Sequence, residues 1–384
     1  LLLDLQRQGH TGTGGFYIRR MKRLLPAIVA LVLAVLAYAY FVQPDAWEAA
    51  RKDAPSALFY YANFWQLYDQ QPYFAQFGRP SAFQHFWSLA IEEQFYILWP
   101  LILALLYRLR RWLPPALPIG LLALASVGWM WWLAQRHNIP LEAAPERLYL
   151  STDTHAHGLL FGAFLACIYP QTPPRLSGWR SGLLGLLGLA AVVFLAVFLS
   201  VSNEGSEFLY RGGFAAVEVA TVVLIWAASS PGNISNRVLN SALLSWVGQR
   251  SYSLYLWHWP VFVFLRPGYE LPENIWQAFA LRLVLTLILA ELCYRWVETP
   301  LRRLQWARLS ALGKALALGA GAALLAALVY AYACAPKPQL PAAPAMAAEE
   351  TVMLAATPSS VPSRAAPQAP QAPQASEAEQ VWAD

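Results

Sequence analysis

Residues 24–43 read LLPAIVALVLAVLAYAYFVQ, twenty residues without a charge, and they follow Arg19-Arg20-Met21-Lys22-Arg23. A helix rises about 1.5 Å per residue, so about 20 mostly apolar residues cross a bilayer. The basic run at the entry is the anchor expected at a membrane surface. The same pattern recurs, and nine spans are expected, at 24–43, 86–107, 117–135, 153–170, 181–201, 211–229, 251–266, 276–297 and 311–333. The apolar runs are continuous rather than alternating, and too long for barrel strands. Segment Ser56–Tyr68 is shorter and carries Tyr60, Tyr61, Trp65 and Tyr68, which predicts a re-entrant or interfacial piece. The expected fold class is all-α, a polytopic membrane helix bundle of about nine spans.

Composition agrees with that reading. Of 384 residues 58% are hydrophobic and 13% charged, and the mean hydropathy is +0.38. A soluble domain carries about a quarter charged residues, and a disordered chain is far less apolar. The net charge of +5 is small and scattered, which excludes a nucleic-acid partner. Cys167, Cys293 and Cys334 have neither metal-ligand nor disulfide-framework spacing and read as structural. With the start of the chain placed in the cytoplasm, inside segments hold 17 Lys and Arg and outside segments 9, with Arg282 inside a span. That excess predicts a plasma-membrane protein with a cytoplasmic start and an extracytoplasmic C-terminal tail. Three regions follow: a cytoplasmic segment at 1–23, a membrane core at 24–333, and an Ala/Pro-rich linker at 334–384 that includes the repeat PQAPQAPQA.

Polar groups inside spans are costly and mark function by default. His85, Ser88, Glu92 and Tyr96 are spaced 3, 4 and 4 and fall on one helical stripe, with Glu93 beside it. Such a stripe suits proton handling or the orientation of a substrate, and equally a buried packing network. Arg19, Arg20, Lys22 and Arg23 are either a topology anchor or a cationic cradle for a phosphorylated donor. Asp153, Thr154, His155 and His157 open another span, where Asp153 and His157, at i and i+4, are placed to pair. His258 lies mid-span, and Glu218, Arg282 and Glu291 are further charges in apolar surroundings. Glu298 precedes Arg302 and Arg303 at a helix exit and is placed to orient them. Phosphate-binding glycine loops, HExxH and a Gly-Asp-Ser block are missing from the sequence, so ATP-driven, dinucleotide and zinc-peptidase chemistry lose their usual warrant. Two classes remain open on these residues: an enzyme with a buried acidic site, and a flippase or exporter of lipid-linked sugars that uses the acids as a proton path.

Five blocks go further: Phe16-Tyr17-Ile18-Arg19-Arg20…Arg23-Leu24…Pro26; His85-Phe86-Trp87-Ser88-Leu89…Glu92-Glu93-Gln94-Phe95-Tyr96; Thr152-Asp153-Thr154-His155; Ser251-Tyr252-Ser253-Leu254-Tyr255-Leu256-Trp257-His258; and Tyr294-Arg295…Val297-Glu298…Pro300. In this order they resemble the type-3 membrane acyltransferases, and most closely the O-acetyltransferases of peptidoglycan and surface polysaccharides. The resemblance implies acyl transfer from acyl-CoA, usually acetyl-CoA, to a polysaccharide or peptidoglycan hydroxyl, with no permanently bound cofactor and no metal. It implies catalytic roles for Glu92, Glu93, Tyr96, His85 and His258, CoA-phosphate contacts from Arg19, Arg20 and Arg23, and substrate contacts from Trp87, Ser88, Asp153, His155 and Tyr255. It also implies two spans and a catalytic histidine upstream of Phe16, and an extracytoplasmic esterase-like domain or partner beyond the linker. The expectation is therefore the membrane core of a longer protein, with activity that depends on that upstream histidine.

Overall fold

In the computed structural model the described residues are 12–69, 79–169, 176–203 and 205–304, with isolated positions between 319 and 330. All of them fall in the first of the two units into which the chain divides, Leu1–Pro336. The expected ninth span, Cys334 and the Ala/Pro-rich tail lie outside them. The described residues are helical and contain no strand, only an isolated bridge between Pro267 and Leu271.

The helices are α1 (Thr13–Phe41), α2 (Trp47–Leu58), α3 (Ala62–Tyr68), α4 (Phe86–Leu109), α5 (Ala116–Arg136), α6 (Glu146–Leu150) and α7 (Thr152–Ile168). They continue with α8 (Gly178–Val201), α9 (Phe214–Ser229), α10 (Ile234–Leu239), α11 (Ala242–Phe264), α12 (Ile275–Cys293) and α13 (Thr299–Arg303). A π turn, Leu209–Gly213, leads into α9, and a second, Tyr294–Glu298, joins α12 to α13.

Six of these helical runs are long and apolar enough to cross a membrane: Thr13–Phe41, Phe86–Leu109, Ala116–Arg136, Gly178–Val201, Leu209–Ser229 and Ile275–Arg303. Two of the other expected spans form as helices but differ in kind. Helix α7 has only 17 residues, and α11 carries Gln249, Arg250, Ser251, Ser253 and His258 among its apolar residues. The predicted segment Ser56–Tyr68 is not one piece. It is the end of α2 and the whole of α3, broken at Phe59–Tyr61.

The helices form two groups. Helix α1 is the hub of the first, burying Ala27, Ile28, Leu31, Val32, Val35, Leu36 and Ala39 against α2, the start of α4, and Leu256 and Val263 of α11. The second group packs α5 on α7 and α8 on α9, around Met130, Leu133, Ile139, Leu148, Phe198 and Tyr210. Close approach in this group needs small residues. A Cβ at Gly188 of α8 would fall 2.7 Å from the Ala227 Cβ of α9. Helices α4 and α7 join the groups, through Leu106, Ile119, Ala123 and Leu160 and through Trp87, Ile91 and Leu150.

Helix ends inside such a bundle must satisfy their free backbone groups internally. Asn274 caps α12, its Oδ1 accepting from the N–H groups of Trp276 and Gln277 at 3.0 and 3.1 Å. Arg282 answers at the end of α11, donating to the carbonyls of Leu265 (2.6 Å) and Phe262 (3.2 Å). The lone mid-span arginine of the sequence is thus a cap for its neighbour.

Candidate active site

The polar stripe of α4 runs against α11 at one end and α1 at the other. At the α11 end, His85 sits just before the first turn of α4 and is buried. Its ring packs edge-on to His258, centroids 5.4 Å apart, and tilted against Tyr255 at 5.3 Å. Pro260 has no N–H to give the Leu256 carbonyl one turn earlier, and the His85 ring lies beside that carbonyl. Neither ring nitrogen of His85 makes a hydrogen bond of normal geometry among the described residues. The Tyr255 hydroxyl bonds Ser88 Oγ at 2.5 Å and donates to the His85 carbonyl.

The neutral tautomer of His258 is set by its own helix. Its Nδ1 lies 2.6 Å from the Tyr255 carbonyl. A carbonyl only accepts, so in the neutral ring Nδ1 carries the proton and Nε2 keeps its lone pair. That is the form a general base requires.

Some 10 Å further along α4, at 1.5 Å per residue, the two glutamates separate. Glu93 is buried and takes both ends of the Arg20 guanidinium: Nε lies 3.0 Å from each oxygen, and one Nη 2.5 Å from Oε1. The same guanidinium lies 3.3 Å from the centre of the Tyr96 ring, a cation–π contact that fixes its plane. Tyr17, one turn before Arg20, donates to the Ile97 carbonyl at 2.6 Å and holds the two helices in register. Glu92 is half-buried and makes no hydrogen bond or ion pair among the described residues. The adjacent acids thus have different tasks: Glu93 ties α4 to α1, and Glu92 presents an open carboxylate beside a satisfied pair.

Of the three arginines expected at a phosphate, Arg20 is committed to Glu93, whereas Arg19 and Arg23 are exposed. Lys22 donates to the Leu304 carbonyl at 2.8 Å, so the end of α13 lies at the same end of the bundle. There buried Glu298 accepts from Ser253 at 3.1 Å and faces Arg302 at 3.5 Å.

The Asp-Thr block is arranged differently from its expected pairing. Asp153 does not meet His157. It takes a bidentate contact from Arg147 at 3.0 and 2.8 Å and a third hydrogen bond from Trp129 Nε1 at 2.9 Å. The difference is one of depth, because Asp153 opens α7 at the rim while His157, one turn further in, pairs with Glu218 of α9. Gly158 makes room for that acid, since a Cβ there would lie 3.1 Å from its Oε1. His155 packs in an aromatic box of Trp87, Tyr149 and Phe214, with centroid distances of 5.2, 5.6 and 4.9 Å. Trp87 is therefore a wall of the His155 box, on another face of α4 from His85.

One part of the site joins two of the sequence blocks through a residue, Asn63, that carried no sequence signal of its own. Gln94 donates to Asn63 Oδ1 (2.9 Å) and to the Tyr60 carbonyl (3.2 Å). It accepts from Thr152 at 2.6 Å. Asn63 closes the ring by donating to Thr152 Oγ1 at 3.1 Å and the Leu150 carbonyl at 3.2 Å. This network fastens α3 and the start of α7 onto α4 one residue from Glu93. Single amides in mixed segments have no periodicity to betray them. Glu291 likewise pairs with Arg250 of α11 and Arg295. Among the described residues no cluster of three or more His, Cys, Asp or Glu has the arrangement of a metal site.

Comparison with known proteins places these features. The family described as an acyltransferase domain matches residues 1–295. The peptidoglycan O-acetyltransferase OatA of Listeria monocytogenes is 36% identical over 295 residues, covering 75% of this chain and 46% of that protein. The putative peptidoglycan O-acetyltransferase YrhL of Bacillus subtilis is 36% identical over 293 residues, covering 75% and 45%. The O-acetyltransferase OatA of Staphylococcus aureus is 34% identical over 292 residues, covering 75% and 47%. The chain spans slightly less than half the length of these relatives. No solved structure matches. The apolar helices, the five ordered blocks and the match over residues 1–295 make this chain a multi-pass membrane protein of the type-3 acyltransferase family.

Proposed function

We propose that the chain is the membrane acyltransferase core, residues 24–333, of an enzyme that moves an acetyl group from acetyl-CoA to a hydroxyl of peptidoglycan or a related cell-wall polysaccharide. The relatives' names support the acceptor class. In this reading residues 1–23 are cytoplasmic, and residues 334–384 lead out of the membrane toward an esterase-like domain or partner that takes the acyl group onward.

The observation that carries the proposal is the division of labour between Glu92 and Glu93. A bidentate arginine pair neutralises Glu93, and its neighbour is left with an open carboxylate in a polar stripe. In the transfer step the acceptor oxygen bonds the acyl carbon as the C–S bond breaks. The hydroxyl proton passes to a base and the departing thiolate of CoA takes up another proton. His258 Nε2 suits the base, Ser88 and Tyr255 supply hydroxyls around it, and Glu92 orients the reacting groups. Exposed Arg19 and Arg23 suit the CoA phosphates, for which guanidinium groups give charge-assisted contacts.

The test is Glu92→Gln in the intact protein in its own membrane, which keeps the shape and removes the charge. Transfer of labelled acetyl from acetyl-CoA to peptidoglycan falls to background while thermal stability stays near wild type. Full activity in this variant makes the stripe a packing network and overturns the proposal.

A further inference from the structure

The turn between α2 and α3 holds a tyrosine where chain geometry asks for glycine. Helix α2 ends at Leu58, and the Tyr61 N–H returns to the Ser56 carbonyl at 3.0 Å. This is the closure of a Schellman turn, whose penultimate residue adopts the left-handed conformation and is usually glycine. Here that residue is Tyr60, with φ of +56°. The other non-glycine residue with positive φ among those described is Asn138, a type that tolerates the region. A bulky side chain there is a strained exception, and such exceptions cluster at functional sites.

Glycine at 60 would remove the strain, so the reason for tyrosine lies in its side chain and surroundings. Its carbonyl accepts from Gln94, which pins the turn to the helix that carries Glu92 and Glu93. Its ring packs against the core around α1. Its phenol lies within electrostatic reach of Glu93 and Arg20, and burial, then the Glu93 charge, raise its pKa against the opposing pull of Arg20. The group is therefore a protonated donor at any physiological pH. Its side chain is half-buried, and its hydroxyl makes no hydrogen bond among the described residues. Glu93 has both oxygens on Arg20 and does not take it up.

We propose that Tyr60 is a substrate-contacting residue, its hydroxyl donating to the acyl carbonyl oxygen as that oxygen gains negative charge beside the Arg20–Glu93 pair. This rests on the acyltransferase reading above and adds to it a donor from outside the spanning helices. A hydrogen bond that strengthens as charge develops acts on kcat more than on KM.

The experiment compares Tyr60→Phe with wild type in the intact membrane-embedded protein, with turnover expressed per folded molecule. Phenylalanine keeps the ring, the packing and the left-handed backbone and removes only the hydroxyl. The expected result is an unchanged melting temperature, a KM for acetyl-CoA within about twofold, and kcat lower by about 100-fold, the loss seen when one oxyanion donor is removed. Wild-type kcat in Tyr60→Phe overturns the proposal. So does a loss of activity that merely follows a loss of folded protein. Glu92→Gln run alongside separates the two readings. If Glu92→Gln is inactive and Tyr60→Phe is fully active, only the role of Tyr60 falls. If both are fully active, the site itself is misplaced.

Discussion

The two helix groups treat buried charge in opposite ways. Around α1, α4, α11 and α12 three acids meet an arginine or a hydroxyl: Glu93 with Arg20, Glu291 with Arg250, and Glu298 with Ser253 and Arg302. In the α5–α9 group the half-buried acid Glu218 meets a buried histidine, and the arginine pairs Arg147–Asp153 and Arg211–Glu207 lie where helices begin. A guanidinium is always charged, so the first group holds fixed ion pairs, two of which, Arg20–Glu93 and Arg250–Glu291, join partners far apart in sequence. An imidazole is able to share one proton with a carboxylate and leave both neutral. The first group thus joins its helices through guanidinium–carboxylate pairs, and the second through an imidazole–carboxylate pair between α7 and α9.

This contrast predicts unequal penalties. Arg20→Ala leaves Glu93 buried without its partner, and removal of one member of such a pair costs about 3–5 kcal/mol. Thermal unfolding of the purified protein should show the largest loss here, together with the loss of acyl transfer. Glu218→Gln should cost less, on the order of 1–2 kcal/mol, because an amide still offers His157 a hydrogen bond. A Glu218→Gln loss as large as that of Arg20→Ala would erase the distinction between the groups. Arg282→Met uncaps the end of α11 and should cost about 1 kcal/mol, read as faster hydrogen exchange at Phe264 and Leu265 with little change elsewhere.

The smallest effect concerns the loop after α11, where Glu270 accepts from Gln43, Arg79 and Arg266. Burial pushes the Glu270 carboxyl up, but hydrogen bonds and charge from Arg266 outweigh it and leave its pKa below the ordinary value. The folded state therefore favours the ionised form. That contribution is complete above the unfolded carboxylate value, about 4.3, and is lost as pH falls through the lower folded value. Glu270→Gln should flatten the stability profile in this acidic range, with a small loss at neutral pH and little change at the acid end, where the wild-type carboxyl is already protonated. An equal acid slope in both proteins would remove Glu270 from the account.

Sequence alone determined most of what depends on composition and period. Residues 24–43 had to be a buried helix, because twenty uncharged residues with unsatisfied backbone groups have no other stable form in lipid. The stripe His85–Ser88–Glu92–Tyr96 was legible for the same reason, since a helix turns 100° per residue wherever it sits. The ordered blocks carried the family. Tertiary structure decided the partners. Arg20 finds Glu93 across 73 residues of sequence, and His157 finds Glu218 across 61 instead of Asp153 four residues away. Spacing within one helix says which side chains share a face, but not which face a neighbouring helix covers. Asn63, and the roles of Gln94 and Tyr60, were not legible for a related reason. Their importance lies in a network and a strained turn that exist only once α3, α4 and α7 have come together.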